Sequence, residues 1–326
     1  MNTTAILDMI QSPDIRIRCH AVVVNDELQG ILVPSVVIAE LEAKGRLLIR
    51  GPKCTIEADS ADPQEVWRAM LSSGAILFGS PTDIAGVDGL LADPACRHMA
   101  TWLCGIAHDC RAVVDALGRV RSASVVVLGA GGTGSLLAMA LAGAGVGKMF
   151  VVDRAQVEAV GLDRQFLFAP VDIGRDKAHV VCERVAARHP GAQVTGLLED
   201  VDPGALHRLL DDVDVLALAV GCQPDFVAQA SRVAARSSVR VVVCAGATEG
   251  AIGGLEPPND GGAVVADVLE WMRLPQAISE HNGAATLTLA GLASSAVLAH
   301  LCGIAGAGVT GSLQPASDFA SLGGQA

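Results

Sequence analysis

The chain is 326 residues long and 51% hydrophobic, and it carries a formal net charge of −12 with only 23 lysines and arginines. That much apolar side chain supports one large domain or two unequal ones and argues against global disorder. The negative balance repels phosphate backbones and anionic lipid, which argues against nucleic acid and membrane surfaces as partners.

The first residues, MNTTAILDMIQSPDIR, hold no basic start followed by an apolar run. The greasiest stretches further on carry glycines or read as buried strands and helices. No secretory signal and no membrane span are therefore expected, and the expected location is cytoplasmic. In residues 14 to 50, IRIRCHAVVV alternates and is β-rich, whereas SVVIAELEAKGRLLIRG reads as a helix running into a strand. DPQEVWRAML reads as a helix with Asp62 as its cap before the proline. Residues 1–90 thus read as a small α/β or winged-helix-like module, and residues 91–117 as a connecting helix.

Nine cysteines are scattered through apolar segments, and no CxxC pair occurs. The densest group, Cys96, His98, Cys104, His108 and Cys110, has ligand types that suit zinc but spacings that match no usual structural zinc pattern. These residues read as two faces of an ordinary helix, and no zinc site is expected.

From Ser124 the character changes. SVVVLGAGGTGSLLAMALAGAGVGKMFVVDR is a strand, a glycine turn, a helix and a second strand ending in an acid, the first βαβ unit of a Rossmann-type domain. There follow a helix at DKAHVVCERVAARHP, a strand near QVTGLLEDV, a short helix at PGALHRLL, a strand at VDVLALAV, a helix at PDFVAQASRVAARS and a strand at VRVVVCAGA. Alternating strands and helices predict a Rossmann-like, doubly wound, mainly parallel sheet. Residues 250 to 282 lose periodicity and read as loop, ATLTLAGLASSAVLAHLCGI reads as a last helix, and residues 311–326 read as a flexible tail.

Gly129, Gly131 and Gly134 form G-x-G-x-x-G between a strand and a helix, with Gly132 inside the turn. This pattern lets the backbone approach phosphates at the positive end of a helix dipole. Asp153, ending the next strand, is placed to accept hydrogen bonds from ribose hydroxyls. NAD-, FAD- and ATP-binding domains share this logic, so the glycines alone leave a nicotinamide-dependent oxidoreductase open.

The residues after Asp153 separate these readings. The chain continues VEAVGLDRQFLFAPVDIGRDKAHVVCERVAARHP. The ordered set of Gly129 to Ser135, Asp153, Leu162 to Gln165, and Gly174, Lys177 and Ala178 resembles the MoeB/ThiF family of adenylating enzymes, relatives of the ubiquitin-activating enzymes. The resemblance implies an adenylating domain over residues 118–310, with ATP and Mg2+ as cofactors. Gly129, Gly131, Gly132, Gly134, Asp153, Arg164, Gln165 and Lys177 would hold the nucleotide. Arg164 and Lys177 would supply the cations that in-line attack on an anionic triphosphate needs. It further implies a homodimer in which Arg97 reaches the partner's site, and a precursor peptide or small carrier protein as substrate.

The sequence departs from the family pattern at two places. Gly161 stands where the family carries Asn, and Gly221 where an Asp helps hold magnesium. Asp225, one helical turn on, reads equally as a substitute Mg2+ ligand or as a helix cap. Cys222 and Cys244 end strands beside the expected crevice, and each reads either as a thioester-forming thiol or as a core residue. A small module ahead of the domain resembles the peptide-natural-product branch with microcin-type enzymes. There IRIRCHAVVV can offer a sheet edge to an extended peptide, against the plainer alternative of a decorative or dimerising extension. Two functions follow: ATP-dependent adenylation of a peptide or protein carboxylate with acyl transfer, or a catalytically degenerate scaffold of the same fold that presents a peptide to a partner enzyme.

Overall fold

The computed structural model describes residues 15–41, 45–199, 203–220, 224–237, 239–247, 250–256 and 282–304. The chain divides into two compact units, Met1–Gly118 and Arg119–Ala326.

The first unit opens with β1 (Ile15–Arg18), β2 (Ala21–Val24) and β3 (Glu27–Leu32), an antiparallel meander. Asn25 and Asp26 join β2 to β3 with φ of 52° and 60°, the two positive values that a tight hairpin turn demands. Next come β4 (Val37–Glu40), β5 (Arg46–Arg50) and β6 (Thr55–Asp59), a separate three-stranded antiparallel sheet. Within the expected helix over SVVIAELEAKG, Val37–Glu40 form a strand instead, because the β-branched Val37 and Ile38 pair with Arg50 and Ile49 of β5. Helix α1 (Pro63–Ser73) starts on Asp62, whose side chain accepts from the amides of Gln64 and Glu65. Strand β7 (Ile76–Phe78) then returns to pair with β3. Val22, Leu47, Ile49, Ala58, Val66 and Met70 form the core between α1 and the strands.

Helices α2 (Pro81–Ala92), α3 (Arg97–Cys104) and α4 (Cys110–Ser122) complete this part of the chain. The single connecting helix expected over residues 91–117 is therefore two helices. The break lies at Gly105 to Asp109, and α4 begins where Asp109 accepts from the Ala112 amide at 2.7 Å.

The second unit is built from β8 (Ser124–Leu128), α5 (Gly132–Ala144), β9 (Lys148–Val152), α6 (Lys177–Arg188), β10 (Gln193–Leu197), α7 (Pro203–Leu209), β11 (Val215–Leu218), α8 (Pro224–Arg236), β12 (Arg240–Ala247), β13 (Gly250–Glu256) and α9 (Gly283–Leu301). The sheet order is β10-β9-β8-β11-β12-β13, parallel throughout except for β13. This is the doubly wound, mainly parallel sheet that the alternating pattern predicts. All five residues of β8 are buried, as a central strand covered on both faces requires. Strand β13 falls in the stretch expected to be loop. It forms because β12 offers it a full antiparallel partner, from Val241↔Glu256 to Ala247↔Gly250.

The last helix, α9, packs on α5, β12 and β13. By length and composition it alone among the described helices could cross a membrane, and half of it is buried within this unit. Arg119 ties down its end, donating to the carbonyl oxygens of Leu301 and Cys302.

Candidate nucleotide site

Strand order reverses at β8, which has β9 on one side and β11 on the other, so a crevice opens beyond the carboxyl ends of these strands. Backbone pairing runs past the strand ends and shapes it. The Gly129 amide donates to Val152 O at 2.8 Å, Ala219 to Leu128 O at 2.8 Å and Asp153 to Leu197 O at 3.1 Å. Gly129 itself has φ of 95°, and a side chain there would run into the Ala219 carbonyl. Only glycine makes this turn. Gly134 likewise lies against the Gly129 carbonyl, where no Cβ fits.

Helix α5 begins on Gly131, and no side chain caps it. Its first amides are thus left to an incoming anion, with the positive end of the helix dipole behind them. Asp153 stands beside this turn. One of its carboxylate oxygens accepts from the Ala130 amide and the other from the Ala155 amide, both at 2.8 Å. The acid is locked to the glycine turn, and each oxygen keeps a lone pair for a hydroxyl donor. Together these elements bound a cleft of about 440 Å³, whose walls include Gly129, Gly131, Asp153, Glu199, Val220 and Phe226.

The loop after Asp153 returns to this point. Val157 N donates to Arg175 O at 2.8 Å, Gly174 N to Val157 O at 2.9 Å and Lys177 N to Ala155 O at 3.0 Å. This ladder places Lys177, the first residue of α6 and half-buried, in register with the residues just past Asp153. Asp172 fastens the ladder: its carboxylate is buried and accepts from the Ala169 amide at 2.9 Å, from Arg175 at 3.0 Å and from Arg184 at 2.8 Å. The Ala169 amide, with the two guanidinium groups, holds the Asp172 carboxyl below its ordinary range despite the burial.

Arg164 is placed less decisively. Its guanidinium donates to Val160 O at 3.4 Å and Asp163 at 3.1 Å within its own turn, and it does not line the cleft. Its carbonyl does reach the start of α5, lying 2.8 Å from where a Cβ on Gly132 would stand. Asp225 is exposed in the first turn of α8, one residue inside the helix, while the neighbouring Phe226 faces the cleft. Gly221 and Cys222 lie outside the described residues. Cys244 is buried on β12, where desolvation pushes its thiol up to about 12. A thiol held protonated in this way is a core residue and a poor nucleophile.

In the first unit, Arg97 is exposed at the start of α3 and donates to Leu91 O at 3.0 Å. Cys96, Cys104 and Cys110 turn into the core while His98 and His108 face solvent. Burial raises the Cys104 and Cys110 thiols to about 11 and about 12.

Sequence reasoning missed Glu199 and Phe226. The signal for Glu199 was positional: it follows the strand next to Asp153, at the same end of the sheet. Phe226 was shadowed by its acidic neighbour.

Comparison with known proteins settles the family, since the ThiF family matches residues 111–317. The chain belongs to the ThiF family. It is 34% identical over 103 residues to the sulfur carrier protein ThiS adenylyltransferase of Escherichia coli (strain K12), covering 32% of this chain and 41% of that protein. It is 36% identical over 99 residues to the SAMP-activating enzyme E1 of Haloferax volcanii, covering 30% of this chain and 37% of that one. The chain thus spans about two fifths of the length of these curated relatives. The ThiF fold is shared more widely. A crystal structure of E. coli MccB with ATP superposes with a TM-score of 0.65 at 17% identity, over 84% of this chain and 89% of that one. MccB with MccA and AMPCPP gives 0.64 at the same identity and coverage.

Proposed function

We propose that the protein activates a carboxylate of a peptide or small carrier protein by adenylation with ATP and then passes the acyl group to an amine, amide or thiol nucleophile, with AMP leaving. The observation that carries this reading is the convergence at one sheet end of an uncapped helix start, a ribose-ready acid and a registered lysine. The relatives named as adenylyltransferases and the MccB structure with ATP support it.

The substrate carboxylate oxygen attacks the α-phosphorus, one P–O bond forms, the bond to the β-phosphate oxygen breaks, and pyrophosphate leaves. The first amides of α5 and the Lys177 ammonium offset the charge that builds on the phosphates, and Asp153 fixes the ribose. Arg164 must release Asp163 to join them. Mg2+, when bound, screens the triphosphate, and hard oxygen donors suit it. Asp225 is the carboxylate available to it in the first turn of α8, beside the cleft wall.

A cytoplasmic location, where ATP is abundant, fits this reading. The N-terminal module, residues 1–90, serves as the recognition module, because among the described residues β1 is the outer strand of its sheet and offers main-chain groups to an extended peptide. A homodimer with Arg97 reaching the partner's site completes this reading.

ATP–pyrophosphate exchange tests it, run with candidate peptides encoded nearby. Exchange and an ATP-dependent rise in melting temperature are expected, with no rise from NAD. A rise with NAD alone would sink the adenylation reading. Peptide binding without exchange would transfer the function to presentation of the peptide to a partner enzyme.

A further inference from the structure

A nucleotide needs three supports, and the proposed reaction draws on two: the start of α5 for phosphates and Asp153 for the ribose. The base must lie beyond the ribose, away from α5. Glu199, Val220 and Phe226 also line the cleft and hold neither of those groups. Helices α5 and α6 pack on each other, as do α7 and α8, and right-handed crossovers put the two pairs on opposite faces of a doubly wound sheet. Glu199 leads from β10 toward α7, and Phe226 lies in the first turn of α8. Both therefore stand across the cleft from the start of α5. Phe226 is half-buried and, with Val220, packs against the core cluster that includes Leu216, Leu218 and Val227. Its ring is held from behind by that core and meets the cleft on its free side. An anchored aromatic at the wall of a polar cleft suits the flat face of a base. Glu199 is exposed at the same cleft, and a carboxylate accepts hydrogen bonds and donates none.

We infer that Phe226 and Glu199 choose the base of the bound nucleotide and select a 6-aminopurine, Phe226 as the stacking face and the Glu199 carboxylate as acceptor for the exocyclic amino group. The 6-oxo group of guanine in the same pose turns lone pairs toward that carboxylate and is repelled. The inference rests on the proposed ATP site, and neither residue belongs to the ordered motif shared with the family.

The test measures binding by calorimetry, apart from turnover, with the α,β-methylene analogues of ATP, of purine riboside triphosphate, which lacks the 6-amino group, and of GTP. Wild type should bind the adenine analogue roughly tenfold more tightly than the purine analogue, the order expected for one hydrogen bond to a charged group, and the guanine analogue more weakly than adenine. Glu199→Ala should lower affinity for the adenine analogue by that factor and leave the purine analogue unchanged, so that the preference disappears. Phe226→Leu should weaken the adenine and purine analogues alike, by roughly tenfold for the lost stacking, and Phe226→Trp should restore both. The melting temperature of Glu199→Ala without nucleotide should stay near wild type. Equal wild-type affinity for the adenine and purine analogues, a Glu199→Ala loss shared by both, tighter binding of the guanine analogue, or full affinity in Phe226→Leu would each overturn the inference while leaving the nucleotide site standing. A wild type that binds none of the three would instead remove the nucleotide site, and the inference with it.

Discussion

The two halves of the nucleotide crevice are held by different forces. The β8–α5–β9 half is backbone and grease: five consecutive buried residues in β8, a glycine turn pinned by main-chain bonds, and a helix whose buried face is Leu137, Ala138 and Leu141. The half made by the loop from Arg154 to Asp176 is polar. It is closed by a short backbone ladder and by one buried carboxylate, Asp172, gripped by two arginines and an amide. The first half can carry almost no chemistry because it has almost no ionisable side chains. The second carries the cations that the proposed reaction would use and must be held without a core of its own. Shape and reactivity are thus divided between neighbouring segments, and substitutions in them should fail in different ways.

The largest expected effect separates chemistry from fold. Lys177→Ala removes the point charge proposed to face the triphosphate while leaving the main-chain bond from residue 177 to Ala155 intact. Pyrophosphate exchange should fall by roughly 10²–10³-fold, the scale for losing one preorganised electrostatic contact, with little change in melting temperature. Asp225→Asn should act similarly on exchange if that carboxylate holds Mg2+. Asp225 lies inside the first turn of α8, so the change should cost the fold little. A silent Asp225→Asn in an active protein assigns the metal to another acid.

A smaller effect probes what holds the polar half. Asp172→Asn keeps the shape but removes the charge that Arg175 and Arg184 share. Because both arginines are about 40% exposed, the cost should be about 2 kcal/mol, well short of that for stranding fully buried charges. The melting temperature should drop by several degrees, and the ATP-induced rise should shrink in parallel because Lys177 loses its register. An Asp172→Asn protein with full ATP response would show that the ladder holds the loop unaided.

The same division explains which features the sequence disclosed. The βαβ half was legible because its signals are local: a β-branched run, glycines at turn spacing, an apolar helix and a terminal acid all act on neighbouring residues. Lys177 came forward as a candidate only through the ordered motif, since nothing in its surroundings marks a lysine for a nucleotide. The arrangement of Asp172, Arg175 and Arg184, and the folding of Gln165 over Gly161, were hidden because each depends on contacts the turn makes only once formed. Strand β13 was hidden for another reason. AIGGLE has weak strand preference, and its structure comes from pairing with β12. Strand β4 was misread because helix-favouring Glu and Ala accompany its β-branched residues, and tertiary pairing with β5 decided the outcome.

The smallest effect lies at the far end of the same sheet and tests whether acid sensitivity belongs to the polar loop alone. His300, near the end of α9, is half-buried, and its pKa is lowered by that burial and by Arg240, with Asp214 pulling the other way. A histidine with a depressed folded pKa is protonated first in the unfolded chain. Its contribution is complete above the unfolded value of about 6.5 and is lost as pH falls from there toward the folded value. Asp172, with its depressed carboxyl, works in the same direction but below the ordinary range of an aspartate, several pH units lower. Stability should therefore fall gently below neutrality, by at most about 1.4 kcal/mol per pH unit for a single proton, before the loop begins to loosen. Chemical denaturation at a series of pH values can resolve the two steps. His300→Gln should flatten the upper step and leave the lower one, and Asp172→Asn the reverse. If His300→Gln leaves the upper step in place, the acid response of the sheet originates elsewhere, and the contrast between an uncharged frame and a charged loop gains support.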